Sequence, residues 1–212
     1  WEVGTEVVLA QFSFAKYLMW KDLAERSEQL RTNAVVRHLL DTPRDPFVSD
    51  IAFPDPRRLD QENSPAEIFC PLPADSSQLS AVMAASKGKD FVLIGPPGTG
   101  KSQTIANLIA QSLAEGRRVL FMSEKTAALD VVHRRLREVG LGEFCLELHS
   151  SKARKTDVLQ QLQRAWDSRG EVDQAVWESE AQRLQALKTH LNEHVERLHR
   201  VHRNGLTLFD AI

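Results

Sequence analysis

The sequence predicts an α/β fold, in which a parallel sheet is flanked by helices and followed by a helical arm. Between residues 76 and 150, short apolar runs alternate with amphipathic helical segments, the pattern of strands joined by helical crossovers. A glycine-rich turn separates the first apolar run from the next helical segment. Beyond residue 153, leucine and valine recur at helical spacing, which predicts helices rather than further strands. The short joins between strands and helices favour right-handed crossovers and therefore parallel strands.

The composition is that of an ordinary globular protein. The chain has 212 residues, 42% hydrophobic and 26% charged, which is enough apolar material for a sizeable core. The chain has 27 Lys and Arg and 29 Asp and Glu, so its net charge is −2. This net charge excludes nucleic-acid binding through an overall positive charge, and any such binding would require a local basic patch. Two cysteines, Cys70 and Cys145, are too few for a disulfide framework, and we expect them to be reduced in a cytoplasmic protein. No apolar run approaches the ~18 residues of a membrane span, so neither a membrane partner nor a signal peptide is expected.

The first 75 residues are interpreted as an accessory region followed by a connector. In chain order, residues 1–40 predict a strand at 7–9, a helix from 14 to 30 and a helix from 33 to 40. Residues 41–75 hold seven of the nine prolines. Because proline removes backbone donors and fixes φ, long regular elements are not expected there. We therefore predict an extended surface connector, with one short strand near 68–70, that joins the accessory region to the main fold.

Residues 76–152 are predicted to form the core of alternating helices and strands. Ser76 or Ser77 is expected to cap the first helix, because a hydroxyl accepts a hydrogen bond from a free N–H group of the first turn. Gly116 and Gly140 are expected to end the second and third helices, because glycine readily adopts the left-handed conformation beyond a helix C-terminus. In chain order, the expected elements are a helix at 77–86, a strand at 91–94, a helix at 101–114, a strand at 119–122, a helix at 127–139 and a strand at 144–148.

Residues 153–212 predict a polar helical arm with one apolar stripe. The heptad-like spacing of the stripe predicts a long helix or a helical hairpin packed against a partner helix. Helix-mediated self-association is therefore a further expectation. The stripe consists of Leu184, Leu187, Leu191, Val195, Leu198 and Val201.

The glycine-rich turn after the first predicted strand carries a phosphate-binding pattern. Residues 95–102 fit G-x-x-x-x-G-K-[ST], with an apolar run before them and an amphipathic helix after them. The glycines allow N–H groups to point at phosphate oxygens, and the following helix adds its positive N-terminal end. Lys101 would bridge the β- and γ-phosphates, and the Ser102 hydroxyl would ligate Mg²⁺. The sequence therefore predicts a P-loop NTPase that binds ATP and Mg²⁺ through Gly95, Pro96, Pro97, Gly98, Thr99, Gly100, Lys101, Ser102 and Gln103.

Other parts of a nucleotide hydrolase are missing from the sequence. Hydrolysis needs an acidic residue at the end of a second strand to hold Mg²⁺ and the attacking water, and no apolar run after the loop ends in Asp. Glu147 lies inside the third predicted strand. Glu124 follows the second, but a strand this close behind the P-loop helix usually has another role. A guanine-selecting Asn/Thr-Lys-x-Asp is also missing, since residues 154–157 read Arg-Lys-Thr-Asp, which argues against GTP.

Several stretches resemble superfamily 1 helicases. Residues 77–82, Ser-Gln-Leu-Ser-Ala-Val, and residues 95–107 resemble the Q-motif and motif I of these enzymes. Residues 119–129 resemble motif Ia, the strand-end loop that contacts single-stranded nucleic acid. Residues 146–152 and the opening at 12–19 resemble bacterial helicase-related ATPases of the branch that includes the nonsense-mediated decay helicases.

The resemblance implies a RecA-like core in which Gln78 reads the adenine edge, since an amide can both accept from and donate to the base. It also implies that the intact protein couples ATP hydrolysis to movement along single-stranded DNA or RNA. The family's motif II, its motif III and a second RecA-like domain are not among the 212 residues, and the arginine finger of that domain is typically worth about 10³–10⁵ in rate. We therefore expect weak hydrolysis, with 153–212 as a helical insertion. The implied nucleic-acid contacts are Ser123, Glu124, Lys125, Ser150 and Lys152.

Alternative functions remain open at this point. A chaperone-like ring ATPase shares Gly-Pro-Pro-Gly-Thr-Gly-Lys, but it would carry an apolar strand ending in Asp-Glu where residues 151–161 are basic and helical. A non-hydrolysing ATP-binding module would use the arm to bind a protein partner. Residues 190–194 match the peptidase pattern H-x-x-E-H, yet no third ligand is placed, which favours a solvated helix. A basic cluster follows motif Ia and consists of Arg134, Arg135 and Arg137. These side chains would either face solvent or contact the phosphate backbone of a nucleic acid.

Overall fold

Helices make up the regular structure of the chain, in a computed structural model that describes residues 14–148, 154–168 and 173–211. The chain divides into two compact units, Trp1–Asp50 and Ile51–Ile212. Within the described ranges, no helix combines the length and the apolar character that crossing a membrane requires.

Among its described residues, 14–50, the first unit contains two helices, α1 (Phe14–Leu30) and α2 (Ala34–Asp41). Asn33 caps α2, because its Oδ1 accepts hydrogen bonds from the backbone N–H groups two and three residues further on, at 3.0 and 3.1 Å. The two helices predicted within residues 1–40 are therefore confirmed. The strand predicted at 7–9 lies outside the described residues.

The second unit contains six α-helices and three short 3-10 helices among its described residues. The α-helices are α3 (Leu59–Glu62), α4 (Ser76–Ser86), α5 (Lys101–Ala114), α6 (Thr126–Glu138), α7 (Lys155–Asp167) and α8 (Gln174–His199). The 3-10 helices cover Pro65–Glu67, Gly142–Phe144 and Phe209–Ala211. The three helices predicted between residues 76 and 140 are thus confirmed to within one residue at each end, and the described residues of the predicted helical arm include α7 and α8.

Asp75, rather than Ser76 or Ser77, caps α4. Its Oδ1 accepts the backbone N–H of Gln78 at 2.8 Å, and the Gln78 side chain accepts the N–H of Asp75 at 3.2 Å, which forms a capping box. The Ser77 hydroxyl donates to the same carboxylate oxygen at 2.6 Å. The bond from Ser77 and then the bond from Gln78 lower the pKa of Asp75. Ser and Asp are comparable caps, so the backbone conformation at residue 75 decides between them.

One apolar cluster in the core of the second unit lies between α5 and α6, and the buried face of α4 adds to that core. Ala106 and Ile109 on α5 pack with Val132 and Leu136 on α6, and all four are at most 7% exposed. α4 also packs against α5. The helix that follows the phosphate-binding pattern is therefore held by two neighbouring helices.

The predicted parallel sheet, and with it the α/β prediction, is wrong for the described residues, because none of them forms a strand. The segments 91–94, 119–122 and 144–148 make no ladder of backbone hydrogen bonds with one another. Some of their apolar side chains are exposed, including Ile94 at 90% and Leu120 at 82%. A strand exists only through backbone bonds to a neighbour, whereas the sequence pattern reports only apolar runs of strand-like length. The pattern therefore described connecting segments as if they were paired strands.

The proline-rich segment contains short helical turns but no strand at 68–70. It contacts α4 through a hydroxyl group and the connecting segment after α4 through an aromatic ring. The Ser80 hydroxyl on α4 donates to the carbonyl of Pro54 at 2.7 Å, and the ring of Phe53 meets the ring of Phe91 edge-on at 5.2 Å. Near residue 70, the backbone groups of this segment bond to side chains of α5 instead of to a neighbouring strand.

Candidate nucleotide-binding site

The loop at residues 95–100 leads directly into α5. Gly98 and Gly100 have φ angles of +88° and +76°, in the left-handed region where any side chain is strained. Gly100 is the N-cap of α5, and its carbonyl accepts the N–H groups of Gln103 and Thr104 at 2.8 and 2.9 Å. The loop therefore ends at the N-terminus of a helix, where free N–H groups and the helix dipole favour an anion.

Lys101 folds back over this loop. Its Nζ donates hydrogen bonds to the carbonyls of Gly95 and Pro96, the latter at 2.6 Å, and the Thr99 hydroxyl donates to the carbonyl of Pro96 at 2.9 Å. Ser102 follows in the first turn of α5 and is half-buried. The ammonium group thus lies among neutral carbonyl oxygens at the site, and phosphate oxygens are stronger acceptors because they carry negative charge.

Gln78 reaches the same loop from α4. Its Nε2 donates to the carbonyl of Thr99 at 3.0 Å, while its Oε1 accepts the N–H of Asp75. A β-carbon added at Gly100 would lie 2.5 Å from this Nε2, so the amide is in close contact with the loop. Gln78 and Thr99, which were both predicted for one nucleotide site and lie 21 positions apart, are therefore neighbours. Both polar atoms of the Gln78 amide are bonded to the protein.

The two candidate carboxylates lie in different surroundings. Glu124 is exposed in the bend before α6. Glu147 Oε2 lies 3.6 Å from His133 Nδ1, and the backbone N–H and C=O of Glu147 bond to the Gln161 amide at 2.8 and 3.3 Å. Across the part of the chain that the structure describes, no three His, Cys, Asp or Glu side chains come together as metal ligands. The arrangement that H-x-x-E-H would need for a metal is therefore not formed there.

The candidate nucleic-acid contacts are only partly described. Ser123, Glu124 and Lys125 are exposed in the turn before α6, where the Ser123 hydroxyl oxygen accepts the N–H of Lys125 at 3.3 Å. The first two of these residues also line a largely apolar cavity of about 530 Å³ beside α5 and α6. Ser150 and Lys152 lie outside the described residues.

Two buried amides on α5 were not among the predicted site residues. Asn107 and Gln111 are 0% and 2% exposed, and both bond to the backbone of residues 67–72. The available signal was the spacing of two amides at i and i+4, on a helix that also buries Ala106, Ile109 and Ala110. Buried amides require partners, so this spacing indicates a segment of chain bonded to the helix.

The loop at residues 95–100 carries the sequence pattern of P-loop ATPases and leads into the N-terminus of α5, which begins at Lys101. Residues 73–205 match the protein family described as AAA domain. Because this match covers more than half of the chain, the chain belongs to that family, and its relatives identify it as a superfamily 1 helicase-like P-loop ATPase.

The relatives are helicases or DNA-binding proteins by name. Over 62 residues, the chain is 50% identical to an uncharacterized ATP-dependent helicase of Mycoplasma genitalium, which covers 29% of this chain and 6% of that protein. Over 110 residues, it is 32% identical to the DNA-binding protein SMUBP-2 of Mesocricetus auratus, which covers 47% of this chain and 11% of that protein. The chain therefore spans only a small part of the length of these relatives. No solved structure gives a significant match.

Proposed function

We propose that the chain binds ATP and Mg²⁺ at residues 95–102 and supplies ATP binding to a protein that moves along single-stranded DNA or RNA. The observation that carries the proposal is the position of Lys101, whose ammonium group lies over a curled loop at a helix N-terminus. When ATP binds, Nζ exchanges the carbonyls of Gly95 and Pro96 for β- and γ-phosphate oxygens, which bind it more strongly. The Ser102 hydroxyl ligates Mg²⁺, which prefers hard oxygen donors.

Gln78 is the residue proposed to select adenine. Its amide offers one donor and one acceptor, which match the edge of the base. In support, its Nε2 already contacts the loop at the Thr99 carbonyl, so a short side-chain movement would bring it to a nucleotide held by that loop. The carboxylates of motif II and the arginine finger are not among the 212 residues, so we propose that this chain hydrolyses ATP slowly.

The nucleic-acid contacts are proposed at Ser123, Glu124 and Lys125, together with Ser150 and Lys152. The exposed turn before α6 and the names of the relatives support this assignment. Within superfamily 1, the resemblance of residues 146–152 supports the branch that includes the nonsense-mediated decay helicases. We further propose that the protein is cytoplasmic, since its two cysteines are free thiols.

Titration with ATP and Mg²⁺ tests the proposed nucleotide site. Replacing Lys101 by alanine removes charge-assisted hydrogen bonds worth about 1.5–3 kcal/mol, so the affinity for ATP should fall about 10- to 100-fold. Lys155→Ala, at the exposed start of α7, makes the same change of charge and should bind ATP as the wild type does. Competition with GTP tests Gln78, because Gln78→Ala should lose preference for adenine. Unchanged ATP affinity in Lys101→Ala would contradict the proposed site.

A second measurement tests the nucleic-acid proposal. Fluorescence anisotropy of labelled single-stranded DNA and RNA should show binding that weakens in Lys125→Ala. The slope of the logarithm of the affinity against the logarithm of the salt concentration should become smaller by about one. Lys16→Ala, on α1, provides a control with the same loss of charge. If neither nucleic acid binds, or if Lys125→Ala and Lys16→Ala behave alike, the assignment of this turn is wrong.

A further inference from the structure

A segment without regular structure, which begins at the last residue of the 3-10 helix Pro65–Glu67 and covers residues 67–72, is bonded to α5 by two side-chain amides. We call these six residues the strap. The Gln111 amide accepts the N–H of Phe69 at 2.7 Å and donates to the carbonyl of Glu67 at 2.8 Å. One turn earlier, the Asn107 amide accepts the N–H of Leu72 at 3.0 Å and donates to the carbonyl of the same residue at 2.9 Å. Four backbone groups of the strap are therefore satisfied by α5 alone.

The same region of the chain holds α8. The ring of Phe69 in the strap stacks on the ring of Trp177 in α8, with centroids 5.4 Å apart and planes 13° apart. Just before the strap, the carbonyl of Asn63 accepts a hydrogen bond at 2.8 Å from Lys188 Nζ in α8. The side chain of Lys188 is only 15% exposed, so this bond is sheltered from water. α8 is therefore connected to α5 through the strap and the turn before it.

We propose that Asn107 and Gln111 are positioning residues: through the strap they hold α8 on the ATP-binding helix, so that nucleotide binding at the start of α5 stabilises the position of α8. Detaching the strap breaks the four hydrogen bonds between its backbone and the two buried amides, which is costly, although Gln111 Nε2 keeps its bond to Glu115 Oε1 at 2.9 Å. The bonds also require α5 to be intact, because Asn107 and Gln111 must lie one turn apart on one face. This part of the proposal rests on the proposed ATP site.

The expected direction of the coupling follows from linkage. ATP bound at Lys101 favours the state in which α5 is folded from its first turn. A ligand that binds only this folded state reduces the local unfolding of the helix. The strap loses its partners whenever α5 opens, so bound ATP should reduce the fraction of time for which the strap is detached. The strap also contains a natural reporter, Cys70, a free thiol whose burial raises its pKa to about 11 and slows its reaction with thiol reagents.

The experiment measures the rate at which Cys70 reacts with a maleimide in a Cys145→Ser background, with and without saturating ATP and Mg²⁺. The parent protein should react slowly, and ATP should slow the reaction at least threefold. Asn107→Leu and Gln111→Leu should react at least tenfold faster and lose the effect of ATP, while ATP affinity, measured by separate titration, stays within threefold. Asn107→Asp keeps the acceptor for the Leu72 N–H and should fall between these limits.

Gln161→Leu is the matched control, because Gln161 makes the same pair of amide bonds to the backbone of Glu147, outside the strap. It should leave the reactivity of Cys70 unchanged. The position of α8 is followed separately by Trp177 fluorescence after the other three tryptophans are replaced by Phe. Circular dichroism checks that each variant is folded.

The outcomes separate the two proposals. If ATP binds and neither the Cys70 rate nor Trp177 fluorescence responds, the coupling is overturned. If folded Asn107→Leu and Gln111→Leu react no faster than Gln161→Leu, the positioning role is overturned. If ATP does not bind the parent protein, the proposed ATP site and the coupling that depends on it both fail, whereas faster reaction in the α5 variants would still support the positioning role.

Discussion

Two glycines of the phosphate loop share a backbone conformation but differ in what surrounds them. Gly98 and Gly100 both have positive φ, and a non-glycine residue there costs about 1–2 kcal/mol. A β-carbon at Gly98 meets nothing within 4 Å, so Gly98→Ala should cost only this amount. At Gly100 the β-carbon would lie 2.5 Å from Gln78 Nε2, so the amide must withdraw and give up its bond to the Thr99 carbonyl, worth about 0.5–1.5 kcal/mol. Gly100→Ala should therefore lower the free energy of unfolding by about 1.5–3.5 kcal/mol.

Urea unfolding of a double-mutant cycle measures this difference. In a Gln78→Ala background the contact at 2.5 Å no longer exists and only the looser one to Gln103 Oε1, at 3.2 Å, remains, so the cost of Gly100→Ala should fall toward that of Gly98→Ala. The coupling between Gln78 and Gly100 should be about 1 kcal/mol, whereas that between Gln78 and Gly98 should be close to zero. If both alanine substitutions cost the same in the presence of Gln78, or if Gln78→Ala leaves the cost of Gly100→Ala unchanged, the described contact does not constrain the loop.

Two further predictions concern stability. Leu136→Ala should lower the free energy of unfolding by about 2–5 kcal/mol, because the side chain is 3% exposed, whereas Leu120→Ala should change it by less than about 0.5 kcal/mol, because the side chain is 82% exposed. Equal losses in urea unfolding would mean that residues 119–122 are buried as a sheet requires. Asp75→Asn should reduce the loss of folding stability in acid. Bonds from Ser77 and Gln78 lower the pKa of Asp75 in the folded protein. The carboxylate therefore stabilises the fold above its unfolded pKa of about 3.9, and this stabilisation is lost as the pH falls through the lower folded pKa. Thermal unfolding between pH 2 and 6 measures this effect, and identical acid profiles would contradict it.

The helices were predictable because their signals are local. Apolar residues at helical spacing predicted α5 and α6, and Gly116 and Gly140 follow them with φ of +74° and +81°, as expected for residues beyond a helix C-terminus. The cap of α4 was assigned one or two residues too late, since three adjacent residues could all serve and the choice depends on backbone conformation.

The strands were not predictable from the same kind of signal. An apolar run of four or five residues has the composition of a buried strand, but pairing depends on whether another backbone lies beside it. At Glu147 the backbone partner is the amide of Gln161, not a strand. For the site, the sequence located the loop and named Gln78 as its neighbour, and the contact between them is formed; the roles of Gln78 in binding adenine and of Ser102 in binding Mg²⁺ stay predictions.

By itself the sequence determined the turn at residues 95–102, because everything the turn needs lies within eight consecutive residues: two glycines at positive φ and a helix that starts at Lys101. Only the tertiary structure decided that the apolar segments do not pair, and that Asn107 and Gln111 satisfy the backbone of the strap. Those bonds join residues 35 to 44 positions apart, with 42 between Phe69 and Gln111. A local pattern shows that a backbone group or a buried amide needs a partner, but which partner it meets depends on how the whole chain packs.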